Sequence, residues 1–275
     1  MSNPVKQAIR RRVVGMFNDR DRGERPVQRS ANALFDRRSV AWRVHGDVAS
    51  MMVGGIAGLL MQMLHPGVLA GVWDHSNFRT DMHGRLRRTA RFIATTTYAD
   101  RDEAEMLMRR VRAIHDTVKG HLPDGTPYDA NDPVLLAWVH VTETRSFLDA
   151  WIRYGEPWMS RLDQDRYFAE MSVIGNALGA WPLPHSRIEA DRLIAAMRPH
   201  LKADVRTAEV ANLILYAPAS NMLAALPGRL ASQAAVDLLP RWARTLHGLS
   251  PSPLEKPLVR VGTLGVAHAL RWAFR

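Results

Sequence analysis

Arg85, Arg88 and Thr89 stand at i, i+3 and i+4, so a helix containing them carries all three on one face while Arg87 and Arg91 point elsewhere. A basic, hydroxyl-bearing face just inside a helix suits an anionic group, because the helix start adds exposed N–H donors and a positive dipole end. A solvated surface in an arginine-rich chain is the plainer reading of that spacing. Histidines offer a second chemistry. His115 lies beside an apolar stripe, one turn past Val111 and just before Val118. His140 sits with Leu136, Val139 and Glu143, so Glu143 could orient its ring, and His65 immediately precedes Pro66. Neutral imidazole is the natural ligand for haem iron when no cysteine is available, although a histidine on an apolar face is more often a satisfied core residue.

The chain has no cysteine, which excludes a disulfide scaffold, a thiolate nucleophile, an iron–sulfur cluster and a cysteine-ligated haem. Other chemistries lack their spacings. There is no His pair four apart around a glutamate, no paired Glu-x-x-His, no Gly-x-Ser-x-Gly and no phosphate or dinucleotide glycine loop. His65, His75 and His83 are too irregularly spaced to make a persuasive zinc site.

These residues need helices to position them. Between Val48 and Trp73 there is no Asp, Glu, Lys or Arg, and Pro66 interrupts the run. Proline ends a helix before it, and the first piece falls short of the roughly 20 unbroken apolar residues of a membrane span. The expectation is two buried helices, 40–64 and 66–73, meeting at a polar elbow that leads into Asp74-His75-Ser76. Further helices are expected at 84–98, from an N-cap and capping box at Asp100 and Glu103 to Lys119 with Gly120 as the stop, and from Asp132-Pro133 to Tyr154. Others follow at 163–179, 186–198, 205–216, 229–247 and 257–273. Alternating strand patterns are absent, so the fold class is all-α.

At 275 residues, nearly half of them apolar, the chain can bury one large core. We expect a basic N-terminal arm over residues 1–39, with one short helix near Pro4–Phe17, and a single helical domain over 40–275. The net charge of +10 is mostly arginine and is concentrated in that arm, which could touch an anionic membrane surface. Nucleic-acid binding is disfavoured, since there is no finger spacing and little aromatic interleaving. No apolar stretch follows the basic start closely enough for a signal peptide, so the cytoplasm is the expected location.

The segments Gln62-x-x-His65-Pro66, Gly71-Val72-x-Asp74-His75-Ser76, Gly84-Arg85-Leu86-Arg87-Arg88-Thr89, Val111-Arg112-x-Ile114-His115 and Trp138-Val139-His140 resemble the rubber-oxygenase catalytic domain family. The resemblance runs over roughly residues 40–250. It implies an all-helical, globin-like core around a b-type haem, ligated on one side by a histidine. His115 best matches the iron ligand, with His140 as the alternative. Arg85, Arg88 and Thr89 match the distal side, where Arg85 would polarise oxygen or anchor a propionate and Thr89 would donate a hydrogen bond. Asp74 is the expected acid/base carboxylate. Arg88 replaces a lysine of latex-clearing proteins, which argues for a small isoprenoid or lipid-like substrate, with dioxygen, rather than rubber. Two alternatives remain open: a haem-binding sensor or carrier without turnover, and a cofactor-free helical protein docked on a membrane surface.

Overall fold

A computed structural model of the protein describes residues 3–18, 23–216, 222–249 and 256–274. The fold is all-α. In chain order the helices are α1 (Pro4–Phe17), α2 (Val40–His45), α3 (Val48–Gln62), α4 (Pro66–His75), α5 (Met82–Tyr98) and α6 (Arg101–His115). After a small hairpin of β1 (Lys119–His121) and β2 (Pro127–Asp129) come α7 (Pro133–Tyr154), α8 (Arg161–Leu178) and α9 (Arg187–Met197). The chain closes with α10 (Val205–Leu215), α11 (Met222–Leu238), α12 (Arg241–His247) and α13 (Lys256–Phe274).

The uncharged run forms the centre. α3 lies along α7, with α11, α13, α10 and α2 around it. Two glycines let the backbones approach. A Cβ on Gly54 would stand 2.8 Å from the Cα of Phe147 and 2.9 Å from the carbonyl oxygen of Ser146, and one on Gly58 would stand 3.3 Å from the Cα of Glu143. Asp47 caps α3 by accepting from Ser50 N at 2.9 Å and is held in turn by Arg271 Nε at 2.6 Å. That cap is why residues 40–64 form two helices where the sequence reading has one: α2 ends at His45, Gly46 follows it, and Asp47 starts afresh. At the far end Pro66 breaks the run as expected, and α3 and α4 meet at 103°. Among the described residues no single helix is long and apolar enough to cross a membrane.

Two other expectations are corrected. α6 stops at His115 rather than Lys119, and Gly120 lies in a strand, paired with Tyr128. The turn between the strands is Asp124-Gly125, with Gly125 at φ +85°, a backbone region that glycine enters freely. The expected helix 229–247 is split at Pro240 into α11 and α12. The N-terminal arm is also less loose than its composition suggests. α1 packs on α13: the Arg10 guanidinium donates to the Ala273 carbonyl, and Lys6 sits 5.0 Å over the Trp272 ring. Residues 30–32 are tied to Asp100, which accepts from Ser30 Oγ and Asn32 Nδ2.

Candidate functional site

α5 and α6 are joined at Ala99-Asp100, with Arg85 near the start of one helix and His115 at the end of the other. At about 1.5 Å per residue, both stand on the order of 20 Å from the joint. Asp81 opens α5 by accepting from Gly84 N at 2.8 Å. Arg85 is half-buried, and its guanidinium has no acceptor among the described residues. Burial, followed by the charge of Arg88, lowers its pKa from the usual arginine value. Arg88 is exposed and committed, donating to Asn77 Oδ1 at 3.1 Å and Asp81 Oδ2 at 3.3 Å. Thr89 donates to the Arg85 carbonyl one turn back, at 3.2 Å.

His115, the last residue of α6, is half-buried. Its Nδ1 is enclosed and makes no well-formed hydrogen bond among the described residues, although the Asn131 side chain beside it interacts with the ring. Burial lowers its pKa, an effect that the neighbouring Asn131 side chain opposes, so the ring is neutral at pH 7. Asn131 in turn anchors the end of α6 by donating to the Arg112 carbonyl at 3.1 Å and to Asp116 Oδ1 at 2.7 Å.

His140 lies on α7, facing α8. Its Nε2 is 3.1 Å from where a Cβ on Gly175 would be, so that glycine makes room for the ring. Burial pushes the His140 pKa down to about 4 and that of Glu143, one turn on, up to about 7. Neither has a hydrogen-bond partner among the described residues, so Glu143 does not orient His140 by a direct bond. Close by is a polar chain that sequence reading missed. Thr97 Oγ1 donates to the Ile93 carbonyl, which leaves it to accept from His45 Nδ1 at 2.8 Å. The opposite nitrogen, Nε2, then accepts from Tyr167 O–H at 2.8 Å. Burial holds His45 at a pKa of about 3 and raises the Tyr167 phenol well above its usual value, with Glu143 adding to the latter shift. No spacing in the sequence links residues 45, 97 and 167.

His65 and Asp74 have structural duties. His65 Nδ1 caps α4 by accepting from Gly67 N at 3.2 Å. Asp74 ends α4 on the surface, where Tyr128 of the hairpin donates to its Oδ2 at 2.7 Å, and His75 Nε2 lies 3.2 Å from both the Lys119 carbonyl and the same phenol. Gln62 ties α3 to α7: its carbonyl accepts from Trp138 Nε1 at 3.3 Å and its amide donates to the Val139 carbonyl at 3.4 Å. α5 and α6 thus bring Arg85, Thr89 and His115 onto one helix pair, and α7 carries His140 and Glu143 separately. Among the described residues no three His, Asp or Glu side chains cluster as metal ligands.

Iron in a haem takes one neutral imidazole with an uncommitted nitrogen, and its propionates want cations. The half-buried, neutral His115 ring and the acceptor-free guanidinium of Arg85 are the groups that could meet those demands. The protein is therefore a cysteine-free, all-α domain whose chemistry-bearing side chains sit on adjoining helices. It belongs to the family described as ER-bound oxygenase mpaB/B'/Rubber oxygenase, catalytic domain, whose model matches residues 42–272. That makes it a member of an oxygenase family. The match begins at Trp42, leaving α1 and the segment before α2 outside it. No curated protein and no solved structure matches the chain.

Proposed function

We propose that the protein is a haem-b-dependent oxygenase acting with dioxygen on a small apolar, unsaturated compound of isoprenoid or lipid-like character. The observations that carry this reading are the half-buried His115 ring, whose pKa burial lowers, at the end of one helix, and the acceptor-free guanidinium of Arg85, with Thr89 beside it, on the helix joined to it.

Haem, when bound, supplies redox-active iron for dioxygen chemistry. His115 would be the residue that holds it. Arg85, desolvated and without a carboxylate, presents positive charge to a propionate or to negative charge developing on oxygen. Thr89 turns its hydroxyl from the Arg85 carbonyl to donate into the site. Arg88 holds Asn77 and Asp81, and so fixes the start of α5. Asp74 is the acid/base carboxylate in this reading, with Tyr128 setting its orientation. The substrate lies against the partly buried Met51, Met52, Leu59, Val68 and Val72 of α3 and α4, whose flexible methionines suit an irregular apolar ligand.

The test is a visible spectrum of the purified protein before and after added hemin. A Soret band that survives His83→Ala and vanishes with His115→Ala is the expected result. A protein that stays colourless with hemin ends the haem reading. If His140→Ala empties the site and His115→Ala does not, α7 holds the iron.

A further inference from the structure

Away from α5 and α6, a cavity of about 350 Å³ lies between α3, α7, α9 and the corner where α11 meets α12. Its size falls at the lower end of small-ligand sites, about 300–1,000 Å³. The floor is built from the buried Ala57 and Met61 of α3 and Thr142 and Ser146 of α7, with Ile194 and Leu238 as apolar walls. None of the residues assigned above to oxygen chemistry lines it.

The mouth is charged, and its charges are unequally committed. Arg145 pairs with Asp149 and donates from Nε to Asp191 at 3.0 Å, while Arg187 also holds Asp149 at 2.9 Å. Arg198 is different. Its guanidinium lies 5.1 Å over the Trp242 ring and has no carboxylate partner among the described residues. The uncommitted charge at the mouth is thus a cation, held on an aromatic face beside the apolar Ala57, Met61, Ile194 and Leu238. Asp149 and Asp191 on the same rim repel a multiply charged anion, and a single carboxylate meets least of that repulsion.

We propose that this cavity binds an amphipathic monocarboxylate, an aliphatic or isoprenoid acid, with its chain on the Ala57–Met61 floor and its carboxylate on Arg198. The proposal does not rest on haem.

Calorimetric titration of the full chain with decanoate, decanol and decyl phosphate, each below its micelle concentration, tests it. Decanoate binds one per chain and more tightly than decanol, on the order of ten-fold, as a charged hydrogen bond provides. Decyl phosphate binds more weakly than decanoate. Arg198→Gln, at an exposed position, keeps the wild-type melting temperature and erases the preference for decanoate over decanol. Ile194→Trp fills the cavity and removes binding of both. The proposal is overturned if decanoate does not bind, if decanol matches it, or if decanoate affinity survives Arg198→Gln. Because the titration needs neither haem nor dioxygen, its failure leaves the oxygenase reading intact, and a missing Soret band leaves this proposal intact.

Discussion

Gly54 lies so close to Phe147 that a Cβ on it would meet both the backbone and the ring of that residue at 2.8 Å. Backbone cannot give way as a flexible side chain can. Gly54→Ala should therefore lower stability by about 1–3 kcal/mol, the usual cost of overpacking. Gly55→Ala is the matched control: its Cβ would meet only the Phe147 ring edge, at 3.6 Å, and alanine is the better helix former by about 1 kcal/mol. Thermal melts should shift in opposite directions. If Gly54→Ala melts at or above wild type, the close α3–α7 crossing is wrong.

Arg85→Ala should leave the fold intact and abolish turnover. Truncating a paired buried arginine orphans its partner and costs a few kcal/mol, but Arg85 has no partner to orphan among the described residues. Its melting temperature is expected within a few degrees of wild type, and likewise for Thr89→Ala. Oxygen uptake with an unsaturated isoprenoid should fall by on the order of a hundred-fold in either variant, as for loss of one stabilising donor. Unchanged uptake would remove that residue from the mechanism.

Glu143 makes a pH-dependent contribution whose sign follows from its burial. Its folded pKa is raised to about 7, above the ordinary glutamate value of 4.5, so between those values the folded state holds a proton that the unfolded state has lost. Stability from this group is present below the lower value and is lost as pH rises toward 7. Glu143→Gln, which mimics the protonated form, should match wild type near pH 4 and exceed it near pH 8 by about 3 kcal/mol. Equal denaturant midpoints at pH 8 would show that Glu143 is paired when ionised.

Buried neutral histidines work in the opposite direction. His45, at about 3, and His140, at about 4, resist protonation in the folded state, so stability falls as pH drops below the unfolded value of 6.5. His45→Gln should flatten the acid limb of a melting-temperature profile between pH 6.5 and 4. An unchanged slope would mean that His45 charges without unfolding the protein.

Tyr128→Phe removes the hydrogen bonds to Asp74 and His75 and should loosen the hairpin by about 1–2 kcal/mol. Amide exchange across residues 119–129 should speed up accordingly. Asp74→Asn distinguishes anchoring from chemistry. If it slows turnover no more than Tyr128→Phe does, Asp74 serves only to hold the hairpin.

Local signals made much of this architecture readable. Pro66, Pro133, Asp100 and the missing charges between Val48 and Trp73 fix helix starts, ends and burial by short-range sterics and capping, and the structure follows them. Errors arose where two weak signals competed. Asp47 stands beside an apolar run that masks its role as a cap, and Asp124-Gly125 is hard to read as a hairpin turn because the flanking strands are only three residues long. Arg85, Arg88 and Thr89 were rightly placed on one helix, but spacing could not reveal that Arg88 is tied to Asn77 and Asp81 while Arg85 is uncommitted. The His45–Thr97–Tyr167 chain and the Arg198 cavity draw on residues far apart in sequence, and only folding brings them together.

The joint at Ala99-Asp100 divides the molecule mechanically. α6 buries only Ala104 and Met108, whereas α3 is sealed by its glycine contacts along α7. Helices held by so few buried contacts open at a fraction of the global unfolding free energy. Of the two helices only α6, which ends at His115, is lightly held: α5 buries Ile93 and Thr95 to Thr97 and is tied to the core through His45 and Tyr167, and His140 and Glu143 stand on α7 in that core. Local opening at α6 would uncover His115 while the α3–α7 core stays closed.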